Sequence, residues 1–158
     1  MTVIGIDDTD SRERGMCTTY VATRLAESLV AAGVSVERTL LVRLHPAIEH
    51  KTRGNAALAV HCDADPHHAL SVAVAELTPL AETDDPRTSP GVVVAPGDPG
   101  GVPTPVQSFS RRAVRDILDR ETAVDVAEQA GYRHRGWSGG RGRIGALAAV
   151  GAWAANGD

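Results

Sequence analysis

Apolar positions along the chain fall into short runs that alternate with longer stretches of helical spacing. Val3 to Ile6 is an apolar run that stops at the polar turn Asp7-Asp8-Thr9-Asp10, the pattern of a buried strand delivering a loop. From Thr18 onward, Tyr20, Val21, Leu25, Leu29 and Val30 recur on one helical face, and Gly33 stands where a helix C-cap belongs. Val36 to Leu44 alternates loosely as a strand and Ala56 to Cys62 reads as another, with a polar loop between them. Asp65-Pro66 predicts a second helix over His67 to Leu77, the acid as N-cap and the proline at the first helical position. Thr83 to Pro90 is a turn-rich connector, Gly91 to Ala95 a β-branched run suited to a buried strand, and Pro96 to Pro105 too rich in proline and glycine for anything but loop. Val106 to Arg120 and Thr122 to Gln129 predict helices, Gly131 to Gly142 a basic, glycine-rich loop, and Ile144 to Ala154 a strongly apolar last helix.

The order β-α-β-β-α-β followed by helices is that of a split βαβ unit. The expected fold class is therefore α/β (α+β), a mixed sheet in ferredoxin-like order with C-terminal helices. With 158 residues, one domain over 1–158 is expected, and 96–105 is the stretch with linker composition. No internal repeat is visible.

Composition narrows the classes. Hydrophobic residues make up 42% and charged residues 23%, which excludes disordered and low-complexity classes. Cys17 and Cys62 are too few for a disulfide framework or a four-cysteine zinc site. The N-terminus lacks a signal-peptide pattern, and the longest apolar run, Ile144 to Ala155, is short of the roughly 20 residues a bilayer span needs. A cytoplasmic protein with no membrane partner is the expectation. The net charge of −4 hides a division: residues 61–104 hold seven acids and one base, residues 105–143 eight bases and five acids. The second half is thus the locally basic one, and fifteen of the sixteen cations are arginine, which singles out Lys51.

Three loops carry candidate chemistry. Asp7, Asp8 and Asp10 follow a strand directly; carboxylates so close repel unless a cation joins them, and Asp8 and Asp10 point the same way in an extended segment, as a hard divalent ion with oxygen ligands requires. Mg²⁺ at a nucleotide is one reading and a solvated Asx-turn or helix cap the other. Gly15-Met16-Cys17-Thr18-Thr19 then leads into a helix, where Gly15 permits close backbone approach and the N-terminus attracts anions, Thr18 serving equally as an N-cap. Lys51, Thr52, Arg53, Gly54 and Asn55 combine a point charge, a hydroxyl, a planar guanidinium and two turn-formers, a set suited to phosphate oxygens or to a hairpin turn. The order is not that of a Walker A loop. Gly140-Arg141-Gly142-Arg143-Ile144-Gly145 matches G-x-G-x-x-G, but no acid stands about 20 residues on, which excludes a dinucleotide site. What remains is a phosphate or RNA-backbone cradle at the start of the last helix, with Arg133, Arg135, Arg141 and Arg143 beside Tyr132 and Trp137, or a flexible basic loop. His61, His67 and His68 lack metal-ligand spacing and take no role.

The strings IGIDDTDS, GMCTTY, LVRLHP with KTRGNAA, TSPGVVV and GGRGRIGALAAVGA, in this order, resemble the archaeal agmatidine synthetases that modify the wobble cytidine of an isoleucine tRNA. In that family the N-terminal region is kinase-like and uses ATP to convert the cytidine C2 oxygen into a phosphate that agmatine displaces. The resemblance implies that Asp7, Asp8 and Asp10 hold Mg²⁺, that Lys51 and Arg53 contact phosphates, and that Thr18 lies in a phosphorylatable threonine motif. Asp8, Thr18 and Lys51 are then the expected catalytic residues. Gly15, Thr19, Lys51, Thr52, Arg53, Gly54, Asn55, Gly140, Arg141 and Gly142 are the expected ATP contacts. Partners would be ATP, a tRNA or other RNA, and agmatine or a related amine. The pattern departs from the family at His45-Pro46, where N-P is usual, and at His50, where an aromatic is usual. By this resemblance the sequence is expected to correspond to the kinase-like part alone, without the family's OB-fold and zinc ribbon. The alternative function is a non-catalytic nucleotide- or RNA-binding module. A homo-oligomer built on an exposed, Ala-rich last helix is a further expectation.

Overall fold

The computed structural model describes residues 1–7, 18–44, 56–81, 89–116 and 118–156. Among them, five strands form one sheet in the order β2-β3-β1-β4-β5, where β1 is Thr2–Asp7, β2 Ser35–Arg43, β3 Ala56–Asp63, β4 Gly91–Pro96 and β5 Arg133–Gly136. The first four follow the ferredoxin-like order read from the sequence. Every pairing is antiparallel, so the sheet is not mixed as expected: β3 lies between β1 and β2, which run the same way.

Alternation along β1 assigns its two faces. Ile4 and Ile6 point to one side, into a cluster with Val21, Leu25 and Leu29 of α1 (Thr18–Ala31) and Ala69, Ala73 and Leu77 of α2 (Pro66–Ala81). Val3 points to the other, into a cluster that includes Phe109 of α3 (Thr104–Arg115), Ala123 and Ala127 of α4 (Arg120–Gln129) and most of α5 (Arg143–Ala155). Caps set the helix ends as the sequence implied. Gly33 has φ +87°, and Val34 N–H donates to the Leu29 carbonyl at 2.9 Å, closing α1 in a Schellman turn. The Asp65 carboxylate accepts from His68 N–H at 3.1 Å at the start of α2.

Several expectations are corrected. The last helix is not exposed: residues 145–152 of α5 are all buried, since α5 lies between the sheet on one side and α3 on the other. Its small side chains permit that double contact. Gly5 faces the Ala146 carbonyl so closely that a methyl there would overlap it, and Gly151 abuts Val106 of α3. The expected loop 131–142 contains β5, whose sequence Arg-His-Arg-Gly carries no strand signature; it forms because β4 offers an unpaired edge, and its charges suit an outermost strand. The helix expected over 106–120 ends at Arg115, with Asp116 extended at φ −128° and ψ 157°, and Asp119 caps α4 by accepting from Thr122 N–H at 2.7 Å. Within 96–105, Pro99–Gly101 forms a 3-10 turn and Pro99 and Val102 are buried.

Candidate functional site

The antiparallel order sends four connections to one end of the sheet. There β1 ends at Asp7, β2 ends at Arg43, β3 begins at Ala56, β4 begins at Gly91 and β5 ends at Gly136. The acidic loop, the loop carrying Lys51 and the glycine-arginine segment are therefore all joined to strands at this one end. Asp8, Asp10, Gly15, Lys51, Thr52, Arg53, Gly54 and Asn55 themselves lie outside the described residues, as do the side chains of Thr18 and Thr19, which open α1. Among the described residues no group of three or more His, Cys, Asp or Glu side chains is arranged to hold a metal ion.

Asp7, Gly140, Arg141 and Gly142 are described, and Asp7 meets the glycine-arginine turn at Gly142. Asp7 pairs with Gly91 across the β1–β4 ladder, and its carboxylate lies against Gly145 in the first turn of α5, so close that a methyl on Gly145 would overlap it. A carboxylate at a helix N-terminus is stabilised by the free N–H groups and the helix dipole there. Gly142 fits between the Asp7 carbonyl, Gly91 N and the Ser89 carbonyl, leaving no room for a side chain. Glycines at 91 and 142 thus let two strand ends and a helix start touch through their backbones, and Gly145 leaves room for the Asp7 carboxylate.

Ser89, which the sequence reading passed over, anchors this junction. It is buried; its carbonyl accepts from Gly142 N–H at 2.7 Å, its Oγ accepts from Arg141 N–H at 2.8 Å, and its hydroxyl donates to the Ser138 carbonyl at 3.0 Å. The turn it holds takes positive φ at Ser138, Gly139 and Gly140. Gly140 N–H donates to the Trp137 carbonyl, Arg143 N–H to Gly140 and Ile144 N–H to Arg141. Each backbone N–H from 140 to 144 therefore already donates within the chain. In this conformation the guanidinium groups, not a backbone nest, are what the segment offers an anion.

Of these, Arg143 borders an open cleft of about 430 Å³ between α4 and β5, lined also by Arg120, Asp125, Glu128 and His134 among others. Arg120 donates to the Gly139 carbonyl at 2.8 Å; Arg143 donates to Gly140 at 3.0 Å and to Gly139 at 3.3 Å. Burial and the nearby Arg120 hold the Arg143 pKa below the usual guanidinium value, with Glu128 opposing. On the other face of β5, Arg133 and Arg135 are exposed, and the Arg135 guanidinium sits 5.3 Å from the centre of the Trp137 ring. The signal that could have found Ser89 was in the sequence: a serine before Pro-Gly at the mouth of a buried strand, in a string already matched to the family.

The sequence model described as the TiaS TCKD domain matches residues 3–64 and 61–138. The chain belongs to the TiaS family. A TiaS of Haloquadratum walsbyi, a 2-agmatinylcytidine synthetase acting on an isoleucine tRNA, is 59% identical over 156 residues, 98% of this chain and 34% of that protein. The crystal structure of TiaS in complex with its isoleucine tRNA and ATP superposes with a TM-score of 0.83 at 37% identity, covering 95% of this chain and 36% of that one. A complex of TiaS with the same tRNA, AMPCPP and agmatine does so with 0.81 at 34% identity, covering 95% and 36%. The chain spans about a third of the length of these TiaS proteins. Its five-stranded sheet with flanking helices is accordingly a TiaS fold, and the family is one of tRNA-modifying, ligase-like enzymes. Among the described residues, no helix is long and apolar enough to cross a membrane.

Proposed function

We propose that this chain is the ATP-handling part of an isoleucine-tRNA 2-agmatinylcytidine synthetase and acts as a single kinase-like domain over 1–158. The observation that carries the reading is the match of nearly the whole chain, at 59% identity, to a protein of that name. Solved TiaS complexes with ATP and with AMPCPP and agmatine support the choice of nucleotide and amine. The common end of the sheet supports one site for the three loops.

In the proposed reaction the C2 oxygen of the wobble cytidine attacks a phosphorus of ATP, forming one P–O bond as the bond to the departing phosphate breaks. The agmatine amine nitrogen then bonds to C2, and the C2–O bond breaks with its electron pair leaving on phosphate; the amine gives up a proton. Phosphoryl transfer asks a protein mainly for position and charge neutralisation. Lys51 and Arg53 would offset charge on the phosphates, Gly15, Thr19, Thr52, Gly54 and Asn55 would hold them, and Arg141 would face them from the glycine turn. Thr18 would stand at the head of α1 as the residue open to phosphorylation.

Asp7 has the right donor chemistry for Mg²⁺, a hard carboxylate oxygen, but its carboxylate is already engaged at the first turn of α5. The described residues alone do not make a magnesium site; Asp8 and Asp10 would supply it, and bound Mg²⁺ would neutralise phosphate charge there. The measurement that tests the whole reading is ATP turnover by the chain with the isoleucine tRNA and agmatine, for the wild type and for Asp8→Ala. We expect turnover that needs Mg²⁺, is abolished by EDTA and falls at least a hundredfold in the variant, on the scale of losing one electrostatic stabiliser. Absent turnover would instead support a non-catalytic nucleotide- or RNA-binding module, and turnover indifferent to Asp8 would overturn its place in the site. The cytoplasm is the compartment this reaction implies.

A further inference from the structure

The fold divides the basic segment that follows α4 between two faces of the sheet. Tyr132 is buried among α3, α4 and α5, and the Arg143 side chain lies on the α4 side of β5. Arg133 and Arg135 take the opposite face. They stand across the β4–β5 ladder from Val94 and Val92, which are buried against α1 and α2, so both exposed guanidinium groups share the α2 side. Trp137 continues the row: its ring packs at the edge of the same cluster, partly exposed, with the Arg135 guanidinium 5.3 Å from its centre. Among the described residues no carboxylate is paired with Arg133 or Arg135. The one carboxylate on α2, Glu76, is held by Arg24 at 3.0 Å and by Ser28 at 2.8 Å on α1. Nor does a further strand cover this edge among the described residues, where β5 is outermost.

We propose that Arg133, Arg135 and Trp137 form a contact for single-stranded RNA, with two successive phosphates on the guanidinium groups and one base on the Arg135–Trp137 pair. Alternate residues of a strand stand roughly 6.6 Å apart, close to the separation of neighbouring phosphates along one nucleic-acid strand. A guanidinium meets a phosphate with paired donors, and an indole beside a guanidinium plane is a surface on which a base stacks. An acidic peptide would match the charges but leave the ring without a stacking partner. The row runs along β5 toward Gly136, the end of the sheet to which the three candidate loops are joined, so an RNA strand held there is led to the nucleotide site. That the strand is RNA rests on the reading of the chain as part of a tRNA-modifying synthetase; the cationic row itself does not.

The test measures the affinity of the 158-residue chain for the isoleucine tRNA and for a labelled oligocytidylate across a salt series. Arg133→Gln/Arg135→Gln should lose roughly tenfold in affinity, and its log–log salt slope should shrink by about 1.4, two single-strand phosphate contacts. Arg133→Lys/Arg135→Lys keeps both charges and should keep the slope. Arg111→Gln/Arg112→Gln removes the same charge from the exposed side of α3, across the molecule, and should leave the slope as it is. Oligocytidylate should quench tryptophan fluorescence in the wild type and not in Trp137→Phe, whose remaining Trp153 packs with Arg38 and His61 on the other face of the sheet. Four results would each overturn the contact: no RNA binding by the wild type, an equal change of slope in the α3 variant, quenching that persists in Trp137→Phe, or competition by polyglutamate as effective as by oligocytidylate. RNA binding with these signatures but no ATP turnover would sink the synthetase reading and leave the surface standing. Turnover with an unchanged salt slope in the glutamine variant would do the reverse.

Discussion

Gly145 and Asp7 show how the space for a single methyl group decides local energetics. In an exposed helix, alanine in place of glycine gains about 1 kcal/mol of helix propensity. At 145 the added methyl meets the Asp7 carboxylate, and overpacking of that kind costs about 1–3 kcal/mol. Gly145→Ala is therefore expected to lower the free energy of urea unfolding by up to about 2 kcal/mol, while Gly100→Ala, with nothing within 4 Å of its added carbon, leaves it unchanged. A different residue-scale effect belongs to His61, which is fully buried on β3, within 3.0 Å of an Arg38 amino group that itself stacks 4.1 Å from the centre of the Trp153 ring. Burial first, then Arg38, lowers its pKa. The unfolded chain therefore binds this proton more readily than the folded one, and stability falls as pH drops from the ordinary value near 6.5 toward the lowered one. The urea midpoint should decline over that interval less steeply in His61→Gln than in the wild type, and the His61 ring signals should titrate below about 6.5 by NMR.

Among the elements, the glycine turn between β5 and α5 depends on Ser89 more than on its own residues. Ser89→Ala leaves the Arg141 N–H without its acceptor, a loss of about 1–3 kcal/mol for a group shielded from water. The amides of 139–144 are expected to exchange with solvent markedly faster in that variant, with β1 and β3 amides unaffected; equal acceleration across the sheet would mean that Ser89 supports the whole fold and not the turn. Helix α2 shows the simpler case. Asp65→Ala removes its N-cap and should cost about 1 kcal/mol of stability, measured by thermal or urea unfolding. Both residues stand in the sequence with plain signals, Asp65 before a proline and Ser89 before Pro-Gly, yet only the first could be read as structural. A cap bonds to residues beside it in the chain, whereas Ser89 bonds to a turn about 50 residues away.

For the whole molecule, the decisive element is α5, buried between the sheet and α3. A carboxylate placed there has no partner and no water, so Ala148→Glu is expected to abolish cooperative folding of a domain whose total stability is of order 5–15 kcal/mol, seen as loss of near-ultraviolet circular dichroism. The same apolar stretch illustrates where local reading stops. A helix apolar on every side can be a core element or an oligomer interface, and periodicity does not distinguish them; the sheet and α3 do, by covering both sides. β5 was missed for the complementary reason: nothing in Arg-His-Arg-Gly favours a strand until β4 presents an open edge. The sequence alone determined the strands and helices whose signals are local, the split βαβ order and, through five short strings, the family. It also nominated the three loops. Only the tertiary structure decided that these loops are joined to strands at one end of the sheet, that Asp7 meets the start of α5, and that Ser89 holds the glycine turn. Those facts depend on contacts between residues far apart along the chain, made where strands pair and backbones pass each other at glycines, and no local pattern encodes a distance of that kind.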